Sequence, residues 1–566
     1  MKILKTLLFI FTLALFLRTY QLENFPVGFH SDEARVAWNA YSILKTGKDD
    51  RGNVPSLYYD TFGDYRPTGI FYFTIPSILV FGRNEFAVRF PSALFGALTV
   101  FPLYLFVTEI FKNKNLQSVI NGKKLAIVSS LLLAISPWHI EVSRATSEVG
   151  ISTFFALSAI YFLVKLIKNG GRLDAYIACG LITISFLLYH AIRFLAPIFF
   201  ITIILFYFRE FKSSKRKKFI LGSLIFVFSL TIFFSTTPEA RKRFDQVSIF
   251  KDENTNYEIK RLEDENKKPN LTGRIIYKKL DSKYVIYAKR FLLEYPTYFS
   301  SNFLIGYSAR PYRYATPGAG LFTFFEFGLL IIGLVEAAKG KKNLLPLLLL
   351  LIAPLPAALT TEDAPNLHRA FFMVPFLMTI ETYGLLSVID FSKKYKNLVK
   401  SIVFIAMLIS TTYFLHMYFD HSSFHMPFIK EFNLDGSSYR NIGTKDLVLR
   451  IEKLKGQYDK VVVNNSTDDP YPWYAFFTGK DPAEFNKYAI KRKDGPWQYQ
   501  NIIFSRLKCP TDSAFTTEKE QNLLVIDAGA PDCAYEAKIN DGLQAKVVDK
   551  ILRPSGSEVY VLLERK

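Results

Sequence analysis

Apolar runs of about twenty residues, parted by short loops rich in lysine and arginine, recur through the first three quarters of this 566-residue chain. A run of that length matches the hydrocarbon thickness of a bilayer, where only helices and closed barrels satisfy every backbone hydrogen bond. The runs begin with Thr6 to Leu17 and continue at roughly 91–111, 124–140, 149–168, 173–190, 193–208, 219–236, 318–337, 343–360, 368–389 and 400–418, about eleven transmembrane helices in all. Half of the residues are hydrophobic, yet the mean hydropathy is only +0.15, so a polar portion must dilute the apolar one. The formal charge of +20 does not read as nucleic-acid binding, because the lysines and arginines cluster in short loops between apolar runs.

Loop charge sets the sides. The basic loops at 112–124, 209–218, 339–342 and 393–400 belong together on the cytoplasmic face. They share it only if 68–82, which is short and carries Pro76, does not cross. That stretch reads as a juxtamembrane or re-entrant helix of the first external loop. The N-terminus, with Lys2 and Lys5 but no small-residue cleavage site, reads as an uncleaved first span starting in the cytoplasm. The outside then receives a first external loop at 18–90, 141–148, the 190–193 turn, a long loop at 237–317, the 361–367 turn and everything after 418. All seven histidines lie at or beyond the outer ends of spans. From about 420 the composition becomes soluble. Short apolar runs at Val461, Asn501, Leu523 and Glu558 alternate with helical patterns, which predicts an extracytoplasmic α/β domain over 420–566 beside a transmembrane domain over 1–419. Cys509 and Cys533 fall in that tail, where they either pair in an oxidising compartment or stay as thiols.

The outer segments carry the groups that could do chemistry. Phe29-His30-Ser31-Asp32-Glu33 places two carboxylates just beyond the first span, where they could serve as a base or merely as acids opening a helix. Arg144 and Glu148 are spaced to share one helix face. Tyr189-His190-Ala-Ile-Arg193 places a guanidinium between two spans, suited to a lipid phosphate or to snorkelling toward headgroups. Arg241, Arg243, Arg310 and Arg313 lie in the long loop, and Glu362, Asp363, His368 and Arg369 in a proline-broken turn. In the tail, Tyr471-Pro-Trp473-Tyr and Trp497 read as a sugar-stacking platform or as aromatic core.

The pattern Asp32-Glu-Ala-Arg35, Ala37-Trp-Asn-Ala40, Lys45-Thr-Gly47, Tyr65-Arg-Pro-Thr-Gly-Ile-Phe-Tyr72 and Phe81-Gly-Arg-Asn-Glu-Phe-Ala-Val-Arg89 resembles the N-terminal module of the GT-C glycosyltransferases. The branch it looks like holds the protein O-mannosyltransferases, the lipid A aminoarabinose transferase and the RgtA/B/C/D-like enzymes. The resemblance covers roughly residues 1–380. It implies a GT-C fold and a glycosyltransferase in the cytoplasmic membrane that moves a sugar from a polyprenyl-phosphate donor to the hydroxyl of a glycan, glycolipid or protein. Asp32 matches the catalytic acid of the first external loop, Glu148 the second acid, and Arg193 and Arg369 arginines near the lipid phosphate. His30, Glu33, Arg89, His190 and Arg313 complete the candidate substrate-binding set. No ligand spacing demands a cofactor; a divalent metal, if used, would find oxygen and nitrogen groups in Asp32, Glu148 and His30. The alternative is a flippase for lipid-linked sugars or another polytopic transporter, which should carry its polar groups near mid-membrane. A receptor or scaffold with a ligand-binding tail is the third reading.

Overall fold

The computed structural model describes residues 2–565 apart from 62–63, 113–115, 214, 266–279, 307–308, 317, 341–343, 392–394, 422–439, 465–469, 491–496, 506–520, 528–534 and 555. Cys509, Cys533 and His425 lie outside the described residues. The chain divides into two compact units.

The first unit comprises Met1–Tyr20, Leu57–Gly69 and Ser92–Met417, and it is a bundle of apolar helices. Glu148–Lys168 packs on Arg172–Leu188, Val100–Phe111 on Leu116–Ile135, and Phe324–Lys339 on Val374–Phe391. Their shared core buries Leu103, Phe106, Leu163, Phe199, Leu349 and Phe376. Lys217–Ser235 and Lys396–His416 instead expose Ile225, Ile232, Phe233, Ile402, Phe404 and Leu408, an apolar surface suited to lipid. Helices lie at each of the eleven expected positions, but among the described residues five are long and apolar enough to cross a bilayer, or up to seven if each of two bent pairs counts as one span. One bent pair replaces the straight helix expected over 124–140. Gly122–Ile135 and Pro137–Arg144 meet at 54°, where Pro137 lacks the N–H that would continue the ladder. The other joins Phe324–Lys339 to Leu344–Ala358 at 117°.

Arg144 and Glu148 do not share a helix face as their spacing suggests. Arg144 closes one helix and Glu148 opens the next, with Ser147 as N-cap between them. Arg144 instead donates to the carbonyls of Leu17 (2.8 Å) and Tyr20 (2.7 Å), at the end of the first helix. Arg18, fully buried, donates to the carbonyls of Leu133 (3.1 Å) and Ala134 (2.9 Å) and to His139 Nδ1 (2.8 Å). Both arginines serve carbonyls that a helix end leaves without partners.

The second unit comprises Gln21–Ser56, Ile70–Pro91 and Tyr418–Lys566, so most of the first external loop belongs with the tail rather than with the bundle. Composition marks only the change near 420, and it cannot show that an early loop packs with a late domain. The loop contributes the helices Ser31–Thr46 and Gly69–Phe81, the latter reaching into this unit from Ile70. At thirteen residues Gly69–Phe81 is about 20 Å long, short of a bilayer's core. Besides β1 (Tyr58–Thr61) and β2 (Asp64–Pro67), a small hairpin of the first unit, the strands are β3 (Lys460–Asn464), β4 (Trp497–Tyr499), β5 (Ile502–Ser505), β6 (Leu523–Asp527), β7 (Ala545–Leu552) and β8 (Glu558–Arg565). They form one mixed sheet in the order β4-β5-β3-β6-β8-β7, with β3 parallel to β5 and β6 and the other pairs antiparallel. The aromatic run of the tail is core, not a sugar platform. Tyr471, Trp473 and Tyr474 are buried, Trp473 Nε1 donates to the Phe29 carbonyl (2.8 Å), and Tyr471 donates to Asp50 Oδ2 (2.8 Å).

One close approach in the bundle depends on two glycines. A Cβ at Gly333 would strike the carbonyl of Ile380, and one at Gly384 the carbonyl of Leu329. Small residues let membrane helices approach to backbone contact. Replacing Gly333 by Val should cost on the order of 1–3 kcal/mol or more and lower the thermal midpoint in detergent micelles. Gly328→Ala on the same helix, where an added Cβ meets nothing, should leave it unchanged or raised. Equal midpoints for the two variants would contradict the crossing.

Candidate active site

The first turn of Ser31–Thr46 is built by a capping box. The His30 ring accepts the Asp32 N–H (3.1 Å), and Glu33 Oε2 accepts the His30 N–H (3.1 Å). A helix N-terminus leaves its first N–H groups without partners, and acids there are favoured. The two neighbouring carboxylates then part company. Glu33 is buried, and Arg89 reaches it through Nε to Oε1 (2.9 Å) and Nη2 to Oε2 (3.1 Å) while Arg440 Nη2 reaches Oε2 (3.0 Å). Burial pushes the Glu33 carboxyl upward, but Arg89 and then Arg440 overcome it and hold the group down at about 2. Arg89 also donates to the carbonyls of Leu22 (3.1 Å), Glu23 (3.2 Å) and Gly28. Glu33 and Arg89 were expected to bind substrate; their hydrogen-bonding capacity is instead occupied in a buried ion pair. Asp32 sits one residue earlier with its side chain part-exposed at 17%, Oδ2 lying 3.6 Å from His30 Nδ1.

A second group of charged and aromatic side chains gathers in the first unit at helix ends. Ser147 Oγ lies 3.0 Å from His368 Nε2, Tyr189 Oη lies 3.3 Å from His368 Nδ1, and the Tyr314 ring stacks on His368 at 4.6 Å. Burial raises the Tyr189 hydroxyl, and the charges of Arg369, Glu148 and Arg243 act on it more weakly. Arg243 and Arg369 share Oε2 of the half-exposed Glu362, Arg243 at 3.0 Å. Burial raises the Glu362 carboxyl, and Arg243, Arg369 and Arg66 together outweigh it and hold it below the ordinary range. Arg313 lies over the Tyr314 ring at 5.3 Å, next to this group.

Arg193 is expected near the lipid phosphate and His190 in the substrate-binding set, and the structure gives both other partners. Arg193 donates through Nε (3.0 Å) and Nη2 (2.8 Å) to the Phe186 carbonyl at a helix end, and through Nη1 to Tyr58 Oη and His190 Nδ1. Its guanidinium also lies 4.4 Å from the Phe234 ring centre. His190 is within 3.1 Å of the Tyr65 carbonyl through Nε2, so both ring nitrogens are occupied. Arg243, Glu362, His368 and Tyr189 take their place as candidates. Glu362 and His368 stand in the proline-broken turn, Tyr189 beside His190 and Arg243 in the long loop; nothing in the sequence links Arg243 to Glu362, 119 residues later.

Among the described residues no group of three or more His, Cys, Asp and Glu is arranged to hold a metal. His30 Nδ1 already accepts the Asp32 N–H. No step is therefore drawn through a divalent ion at Asp32, Glu148 or His30.

Glu33 is an anion held below its unfolded value, which is near 4.5. Its stabilising contribution is complete above that value and is lost as pH falls toward 2. Glu33→Gln should destabilise the protein by on the order of 3 kcal/mol at pH 7 and flatten the acid limb of its stability profile. Parallel acid limbs for wild type and variant, followed by tryptophan fluorescence, would contradict the buried pair.

Comparisons with known proteins agree with this architecture. Residues 65–234 match the family model described as dolichyl-phosphate-mannose-protein mannosyltransferase. A stretch of 94 residues is 31% identical to YkcB of Bacillus subtilis (strain 168), described as a candidate mannosyltransferase; it covers 17% of this chain and only 12% of that relative. ArnT from Cupriavidus metallidurans, solved in the apo state, superposes with a TM-score of 0.51 at 10% identity, covering 99% of this chain and 97% of that one. The same enzyme bound to undecaprenyl phosphate gives 0.51 at 11%, with the same coverage. The archaeal oligosaccharyltransferase AglB from Archaeoglobus fulgidus gives 0.47 at 13%, covering 84% of this chain and 63% of that one. The chain thus has the fold of ArnT over nearly its whole length, and residues 65–234 match the model of the protein mannosyltransferase family.

Proposed function

We propose that the protein is an integral-membrane glycosyltransferase that moves a sugar from a polyprenyl-phosphate donor to an acceptor hydroxyl, with Asp32 as the base. In this reading the bundle crosses the cytoplasmic membrane eleven times, with the N-terminus inside and the tail from 420 outside. The observation that carries it is the pair of arginines, Arg243 and Arg369, converging on the half-exposed carboxylate of Glu362. Guanidinium pairs of this kind suit a phosphate monoester, and Glu362 stands where such an anion would be held. One solved protein with this fold holds undecaprenyl phosphate, which supports the same donor class.

The chemistry balances on these groups. An acceptor hydroxyl is a weak nucleophile, so Asp32 takes its proton as the oxygen attacks the anomeric carbon. The bond from that carbon to the phosphate oxygen breaks with oxocarbenium character. The electron pair leaves with the polyprenyl phosphate, whose added charge is of the kind that guanidinium groups stabilise. Direct displacement inverts the anomeric centre. The part-exposed Asp32 suits this role, whereas the buried Glu33 cannot meet an acceptor.

The transporter alternative places its polar groups near mid-bundle. Here the arginine group gathers at helix ends, although Glu381 is buried inside its helix with neither carboxyl oxygen hydrogen-bonded. Asp32→Asn should cut transfer of labelled mannose from undecaprenyl-phosphomannose to a membrane-extract acceptor by roughly a hundredfold or more, with donor binding kept. Near-normal turnover of that variant would rule out the base assignment.

A further inference from the structure

The tail has a candidate fold neighbour but no role of its own in the chemistry above. Its first described residues after 421 are Arg440, Asn441 and Ile442, and all three sit against the segment that leads into Asp32. Arg440 Nε donates to the Val27 carbonyl (3.0 Å), and its Nη2 donates to Glu33 Oε2 (3.0 Å). Asn441 Oδ1 accepts the Ser31 N–H (3.0 Å), the first N–H of the helix and one that no residue within the helix can satisfy. Gly28 has φ +80, and a Cβ there would lie 2.5 Å from the Arg440 carbonyl oxygen and 2.8 Å from Ile442 Cγ1. Backbone therefore packs directly on backbone at that point.

From these contacts we infer that Arg440, assisted by Asn441, is a positioning residue through which the tail sets the direction of the Asp32 carboxylate. The inference rests on the reading of Asp32 as base. Of the first three N–H groups of the turn, one is held by the tail and one by His30. Glu33, the next side chain along, is clamped from the loop by Arg89 and from the tail by Arg440. With residues 31 and 33 fixed, Asp32 between them has little freedom to turn. Misplacing a catalytic group by about 1 Å can cost roughly a hundredfold in rate, so such a clamp belongs to catalysis as much as to folding.

The test uses the full chain in detergent micelles with undecaprenyl-phosphomannose as the probe. Arg440→Ala should speed amide exchange across residues 27–36 and lower kcat by roughly tenfold or more, while KM for the donor stays within about twofold. Added guanidinium should restore part of kcat, and Arg440→Lys should fall between Ala and wild type. The lysine variant also serves if the alanine variant does not fold. Arg450→Ala, which removes an exposed pair with Asp549 elsewhere in the tail, should change neither readout. Exchange over 27–36 and kcat matching those of Arg450→Ala would overturn the inference. So would a loss of kcat that neither lysine nor guanidinium relieves, which marks a purely structural residue. Asp32→Asn separates the two claims. If it turns over normally, the base reading fails; if it is inert while Arg440→Ala is normal, only the positioning role fails.

Discussion

A buried carboxylate held by two arginines organises the second unit. Taking a carboxylate out of water costs several kcal/mol unless its lone pairs are met, and breaking such a pair costs about as much. Glu33 meets Arg89 from the same loop and Arg440 from the tail, 56 and 407 residues away in sequence. The same carboxylate closes the capping box on His30. One side chain thus joins the loop, the tail and the start of the helix that carries Asp32. Its neighbour is left with a different environment, part-exposed beside an imidazole, and that difference is what allows two adjacent acids to hold different roles.

In the first unit the arginines sort by their acceptors. Arg18, Arg144 and Arg193 point at carbonyls left open by helix ends, a use that neutralises partial charge and leaves little capacity for a ligand. Arg243 and Arg369 both reach a side-chain carboxylate that is half-exposed and replaceable, although Arg369 also gives Nη1 to the Glu362 carbonyl (2.6 Å) and Thr360 Oγ1 (3.0 Å). A phosphate brings more charge and more acceptor oxygens than that carboxylate, so exchange between the two is chemically plain. The contrast explains why counting arginines near the membrane surface does not identify a phosphate site, whereas asking what each one already donates to does.

The succession of helices was legible because a bilayer-length apolar run has few ways to fold, and the helix start at Asp32 and Glu33 was legible because acids favour a helix N-terminus. Partners far along the chain were not. Nothing near Glu33 announces Arg440, so an acid at the start of a loop helix reads as a substrate contact, whereas the structure shows it as a buried brace. Arg193 read as a phosphate ligand for the same reason, since the Phe186 carbonyl and Tyr58 hydroxyl it serves are invisible in a motif. Backbone breaks were missed where one proline or one short N-cap decides them, as at Pro137 and Ser147. The grouping of the first external loop with the tail was beyond any local pattern, because it depends on contacts such as Trp473 to Phe29 and Asn486 to Trp38.

The central claim is that a polyprenyl phosphate is held by the arginines that now share Glu362. Electron cryomicroscopy of the full chain with undecaprenyl phosphate bound in a lipid nanodisc tests it most directly. The account predicts phosphate density within hydrogen-bond distance of Arg243 and Arg369, with the Glu362 carboxylate displaced from both. Phosphate bound away from these residues, with Glu362 still bridging the two arginines, would contradict it.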